Sequence, residues 1–162
     1  MPVTVWTIGY GGRAISDFID LLHHYQIECL VDTRSIPYSR FRPDFRKNAL
    51  QVRLEQSGIQ YLYLGEALGG KRIDPDCYVN GVLDMDRLTA REDFRASIGQ
   101  VEEAARAGRR LALMCAEQRP DQCHRAWMLA PVLLARGIEV LHIDQDGVLR
   151  TQQEVRGWFE NS

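Results

Sequence analysis

The chain has no apolar run near the roughly 20 residues that a bilayer span needs, and no repeat, linker or low-complexity tract. It has only two lysines, Lys47 and Lys71, among its 20 basic residues. No Cys-x-x-Cys pair occurs, which excludes the standard zinc-ribbon and thioredoxin patterns. There is no P-loop, and Gly9-Tyr10-Gly11-Gly12 lacks the third glycine spacing of a dinucleotide fingerprint. Counted from Cys115, the arginine position of a cysteine-phosphatase loop holds Asp121, so that chemistry is excluded too. The start lacks the basic and apolar regions of a signal peptide, which predicts a cytoplasmic protein. In that compartment Cys29, Cys77, Cys115 and Cys123 are expected as free thiols, with a Cys115–Cys123 bond conceivable only under oxidation.

What is present fits one globular domain over residues 1–162, long enough for a core without staples. Hydrophobic residues make up 45% and charged residues 26%. The net charge of −2 sets up no global field toward nucleic acid or a membrane, so any anion site must be built locally. The preference for arginine follows either from a GC-rich genome or from a need for the planar guanidinium fork, which suits phosphate and carboxylate.

Strand and helix patterns alternate. Residues 3–8 are β-branched and apolar and run into a glycine turn. Ile15, Phe18, Ile19 and Leu22 then recur at helical spacing. Further strands are predicted at 29–31, 59–64, 111–115 and 138–143, and further helices at 46–57, about 90–107, 121–137 and about 151–159. Thr89-Ala90-Arg91-Glu92 reads as a capping box, Asp121 as a cap, and Pro131 as a kink. Residues 71–88 read as an insertion or lid. Together these predict a single three-layer α/β domain with a mainly parallel sheet of about five strands and helices on both faces.

In open α/β sheets ligands bind beyond the carboxyl ends of the strands. There the sequence sets Gly9 and Tyr10, Asp32 and Arg34, Glu66 and Lys71, Cys115 and Glu117, then Cys123-His124-Arg125. A thiol opening a helix has a lowered pKa, and the same position attracts phosphate. Cys115 and Cys123 are therefore candidate nucleophiles, and His124, Glu117 and Asp32 candidate proton-transfer groups. Gly9, Tyr10, Arg34, Arg125 and Lys71 are candidate substrate ligands. Two other readings stand beside this one: a buried Cys115 with Arg125 paired to Asp32 or Glu117, and a metal site of Cys115, Cys123 and His124, although that spacing matches no common zinc pattern.

The stretch 34–47 is the one basic segment. Arg34, Arg40, Arg42, Arg46 and Lys47 face only Asp44, with Tyr38, Phe41 and Phe45 interleaved. Cations among aromatics suit phosphate contact with base stacking; a solvated loop pinned by its aromatics is the alternative.

Thr7-Ile8-Gly9-Tyr10, Leu30-Val31-Asp32-Thr33-Arg34 with Pro37 and Ser39, Leu68-Gly69-Gly70, and Cys115-x-Glu117 followed by Cys123-His124-Arg125 resemble the domain of unknown function family 488. The likeness runs from about residue 7 to 142. Members often carry Asp-Val-Arg at 32–34 and His at position 10, where this chain has Thr33 and Tyr10. The resemblance implies a compact α/β domain of bacterial and archaeal type and brings no reaction with it. From the residues, three functions are in view: an enzyme acting on a phosphate-bearing nucleotide or nucleic-acid component, a non-catalytic module binding nucleic acid or a partner through 34–47, and a thiol-based redox or metal sensor. No cofactor and no oligomeric state is assigned.

Overall fold

The structure is a computed structural model that describes residues 2–70 and 73–160. Its frame is a six-stranded sheet. The strands are β1 (Val3–Gly9), β2 (Cys29–Asp32), β3 (Gln60–Tyr63), β6 (Leu111–Cys115), β7 (Ile138–Ile143) and β8 (Leu149–Thr151), in the spatial order β3-β2-β6-β1-β7-β8. The first five run parallel, and β8 returns antiparallel along β7. A short helix, α3 (Gly65–Leu68), follows β3, and β4 (Tyr78–Val79) and β5 (Val82–Leu83) form a separate hairpin.

Side chains alternate across each strand and so divide the core in two. Trp6, Ile8, Leu30, Ala112 and Met114 pack on one face with Phe18 and Leu22 of α1 (Ile15–His24) and Leu50 and Leu54 of α2 (Lys47–Gln56). Val5, Val31, Leu111, Leu113 and Val140 pack on the other with Phe94, Ile98 and Val101 of α5 (Glu92–Arg106) and Val132 and Leu133 of α6 (Ala130–Ala135). This is the three-layer arrangement expected for parallel strands buried on both faces.

The sheet has one strand more than the apolar pattern shows. β8 is a short Leu-Arg-Thr edge, none of it buried, so it carries no hydrophobic signature. The described part of the 71–88 segment is woven into the core, with Cys77 and Leu88 buried. Its hairpin turns through Asn80 and Gly81, both at positive φ, which is the backbone a two-residue hairpin requires. Two end signals are corrected. Thr89 lies inside α4 (Met85–Ala90), which Asp84 caps and where the Thr89 hydroxyl donates to the Met85 carbonyl, while α5 starts after Arg91 with no side-chain cap. Asp121 sits in a 3₁₀ turn, paired with Arg119, and the helix begins later. That helix opens with a π turn over Arg125–Leu129 and continues as α6. Pro131 has no N–H to offer the carbonyl four residues back, and it falls in the first turn of α6, two residues after the π turn ends.

A buried relay ties the far side of the sheet together. The Gln152 amide of α7 (Gln152–Glu160) donates to the Ala126 carbonyl at 2.7 Å, which leaves its oxygen to accept from His142 Nε2 at 2.7 Å. His142 Nδ1 then accepts from the Thr7 hydroxyl at 2.6 Å. One neutral tautomer satisfies every member.

Beyond β1 the chain stays paired with the loop after β6. Tyr10 N donates to the Cys115 carbonyl and Gly11 N to the Ala116 carbonyl, at 3.2 and 2.8 Å. Gly9 is glycine because a Cβ there would run into the Glu117 carbonyl. Gly9→Ala is therefore expected to destabilise the fold by about 1–3 kcal/mol, the ordinary cost of overpacking. Urea unfolding checks it; a change under about 0.5 kcal/mol contradicts the close approach.

Candidate functional site

β6 is inserted between β2 and β1, so three strands deliver their carboxyl ends to one edge: Gly9 and Tyr10, Asp32 to Ser35, and Cys115 to Glu117. Between them opens a cleft of about 530 Å³, within the usual range for small-molecule sites. Tyr10, Arg34 and Ser35 line it from β1 and β2. Cys115 and Glu117 line it from β6, and Cys123, His124 and Trp127 from the turn and helix that follow. Tyr38 and Arg40 stand at its rim. A larger concavity of about 670 Å³ beside β7 and α7 contains neither thiol nor imidazole.

Asp32 is fully buried and saturated. It accepts from Arg34 Nε at 2.9 Å, Arg34 Nη2 at 2.7 Å, the Arg34 amide at 3.1 Å and the Tyr61 hydroxyl at 2.6 Å. Arg34 Nη1 donates to the Phe45 carbonyl at 2.7 Å. Burial works against the Arg34 charge, and Asp32 more than offsets it, holding the guanidinium above its ordinary range. Burial and the Asp32 charge likewise push the Tyr61 phenol up. Arg34 is thus a fixed wall whose charge Asp32 balances, 5.4 Å from the Tyr10 ring, which in turn stacks on Phe45 at 4.3 Å.

Arg125 lies behind the cleft wall, fully buried. Its Nη2 donates to the Glu117 and Gln118 carbonyls at 3.3 and 2.9 Å, while Nε and Nη1 have no partner among the described residues. Neither Asp32 nor Glu117 forms an ion pair with it. Burial, and then the Arg13 charge, lower it to about 9, so it keeps its proton at neutral pH.

His124 is packed against Gly70, and burial, only partly opposed by the Thr33 and Leu68 backbone, lowers it to about 4. Its Nδ1 lies 3.4 Å from Cys123 Sγ. The expectation of four free thiols is corrected: Cys115 and Cys123 are joined by a disulfide, with Cys29 and Cys77 free and buried. The carboxyl end of β6 and the turn before the helix bring these two sulfurs face to face.

The cleft thus gathers Tyr10, Arg34, Cys115, Glu117, Cys123 and His124. Asp32, Gly9 and Arg125 support its walls from behind, and Lys71 and Arg72 fall outside the described residues. Among the described residues no three or more His, Cys, Asp or Glu side chains form a cluster suited to a metal ion. None of the described helices is long and apolar enough to cross a membrane. Trp127, 44% exposed, is a wall residue the strand-end rule misses. Helical phase reveals it, since Ala126, Met128, Leu129 and Ala130 are all buried and turn it outward.

Residues 14–131 match the family described as domain of unknown function DUF488, and the chain belongs to that family. No curated protein matches it.

His124 and His142 are both lowered from 6.5 to about 4, in each case by burial first. Between those values the unfolded chain binds more protons than the folded one. The stability gained by burying neutral imidazoles is therefore whole above about pH 6.5 and drains away as pH falls toward 4. Urea unfolding at pH 7 and pH 5 is expected to differ by about 2 kcal/mol per histidine. His142→Gln is expected to remove about half of that difference; an unchanged profile in the variant contradicts the assignment.

Proposed function

We propose that the chain is an enzyme acting on a phosphate-bearing ligand with a planar base, a nucleotide or nucleic-acid component, bound in the cleft at the carboxyl ends of β1, β2 and β6. The observation that carries this reading is the basic, aromatic segment whose Tyr38 and Arg40 stand at the cleft rim. Arg40 lies over Phe41, Arg42 over Phe45, Arg46 over Tyr38 and Lys47 over Tyr63, at 4.5–5.4 Å from the ring centres. None of these four cations forms an ion pair with a carboxylate among the described residues. Tyr38 is 54% and Phe41 82% exposed. The exposed Tyr38 and Phe41 rings with Arg40 and Arg46 beside them match phosphate contact and base stacking, while the buried Phe45 and half-buried Tyr63 hold the segment to the domain. The chain's net charge of −2 means that this attraction is local.

In this reading Arg34 and Tyr10 form the inner wall, with Arg40 and Tyr38 meeting phosphate and base at the mouth. Cys123 and Cys115 are the reactive groups of the floor. His124, neutral at pH 7, and the exposed carboxylate of Glu117 handle protons. Asp32 acts as an anchor for Arg34, because its oxygens already accept four hydrogen bonds. Gly9 and Arg125 hold the 115–118 loop rather than the ligand. The exposure of Phe41 also favours a second reading, a non-catalytic module that binds single-stranded nucleic acid along 34–47; strong salt dependence without turnover marks that case.

Adenosine monophosphate is expected to raise the melting temperature more than inorganic phosphate does. Arg40→Ala and Tyr38→Ala are each expected to weaken its binding about tenfold, the scale of one lost stacking or phosphate contact. Calorimetric titration checks this, and unchanged affinity in both folded variants overturns the rim as the binding element.

A further inference from the structure

The surroundings of the two cleft sulfurs differ in kind. Cys123 Sγ accepts from the Arg125 amide N–H at 3.5 Å and lies 3.4 Å from His124 Nδ1. Cys115 Sγ lies 3.5 Å from the Glu117 carbonyl oxygen, an acceptor only. A peptide N–H stabilises a thiolate, whereas a carbonyl favours the protonated thiol. The pair is therefore built asymmetrically, with an attacking sulfur at Cys123 and a resolving one at Cys115. Both line the cleft, whereas Cys29 and Cys77 are enclosed in the core away from it.

We propose that Cys115 and Cys123 are a catalytic dithiol–disulfide couple that exchanges electrons with a small anionic disulfide bound in the cleft. Starting from the dithiol, the Cys123 thiolate attacks one sulfur of the substrate disulfide. The substrate S–S bond breaks, one substrate thiolate leaves and takes up a proton, and the other half remains as a mixed disulfide on Cys123. Cys115 then loses its proton and attacks Cys123 Sγ, forming the Cys115–Cys123 bond and expelling the second substrate thiolate, which is protonated in turn. The protein is oxidised by two electrons and the disulfide is reduced to two thiols. A small dithiol or two monothiols acting in reverse regenerate the reduced couple. The anionic preference comes from Arg40, the exposed cation that lines the cleft and forms no ion pair among the described residues, and the chemistry does not depend on nucleotide binding.

The test treats the fully reduced protein with glutathione disulfide, which carries several carboxylates, and in parallel with neutral bis(2-hydroxyethyl) disulfide. The wild type is expected to lose two of its four thiols, and peptide mapping is expected to find the Cys115–Cys123 bond. Cys115→Ser is expected to trap a single glutathionyl adduct on Cys123, and Cys123→Ser to react at least tenfold more slowly. The charged disulfide is expected to react about tenfold faster than the neutral one. If the native wild type retains four thiols, or if adducts spread equally to Cys29 and Cys77, the couple is refuted. Trapping on Cys115 in Cys123→Ser at the wild-type rate refutes the assignment of roles, and equal rates with the two disulfides refute the anionic substrate. The wild-type measurement requires no variant to fold.

Discussion

The shared register of β6 is the constraint on which the site depends. β6 pairs in parallel with β2 on one side and β1 on the other, setting Met114 opposite Asp32 and Cys115 opposite Gly9. Side chains on a strand alternate, so a slip of one residue would reverse which face each of them serves. It would also bring the 115–118 loop against β1 at a residue other than Gly9. The close backbone contact there ends one strand and starts the wall of a cleft within three residues. The same pairing turns Leu113 into one half of the core and Met114 into the other.

Much of this was legible in the sequence. The five parallel strands are apolar runs flanked by glycine and charge, and α1 and α5 show their buried faces at helical spacing. The strand-end rule put Arg34, Cys115, Cys123 and His124 near one another because parallel strands share a carboxyl edge. What was not legible depended on pairings made after the chain folds. Arg125 follows Cys123 and His124 in sequence, yet the first turn of the helix carries it behind the wall. Asp32 looks like a free acid or base until Tyr61 and Arg34 occupy both its oxygens. β8 has too few apolar residues to announce itself, and Thr89 matched a capping pattern that Asp84 fulfils one helix earlier.

The two buried arginines illustrate two ways of keeping a charge in a low-dielectric interior. Arg34 is neutralised by a carboxylate in bidentate geometry, which fixes its orientation. Arg125 has only carbonyl oxygens, and part of its guanidinium has no partner among the described residues. Burying such a group is costly, and that cost falls on the loop whose carbonyls it holds. The cleft therefore has one wall set by an ion pair and another set by oriented peptide dipoles, with Arg40 and Lys47 left to face solvent.

The π turn at Arg125–Leu129 bears on how this stretch tolerates changes in length. A wide turn accommodates one more residue than an α turn over a similar rise. Loss of a single residue here would tighten the winding and turn Met128, Leu129 and the Ala126 carbonyl held by Gln152 out of their buried places. The direction in which Trp127 faces the cleft is thus set by the same turn that packs Met128 and Leu129, so the pitch of that turn couples the shape of the cleft to the packing of the domain.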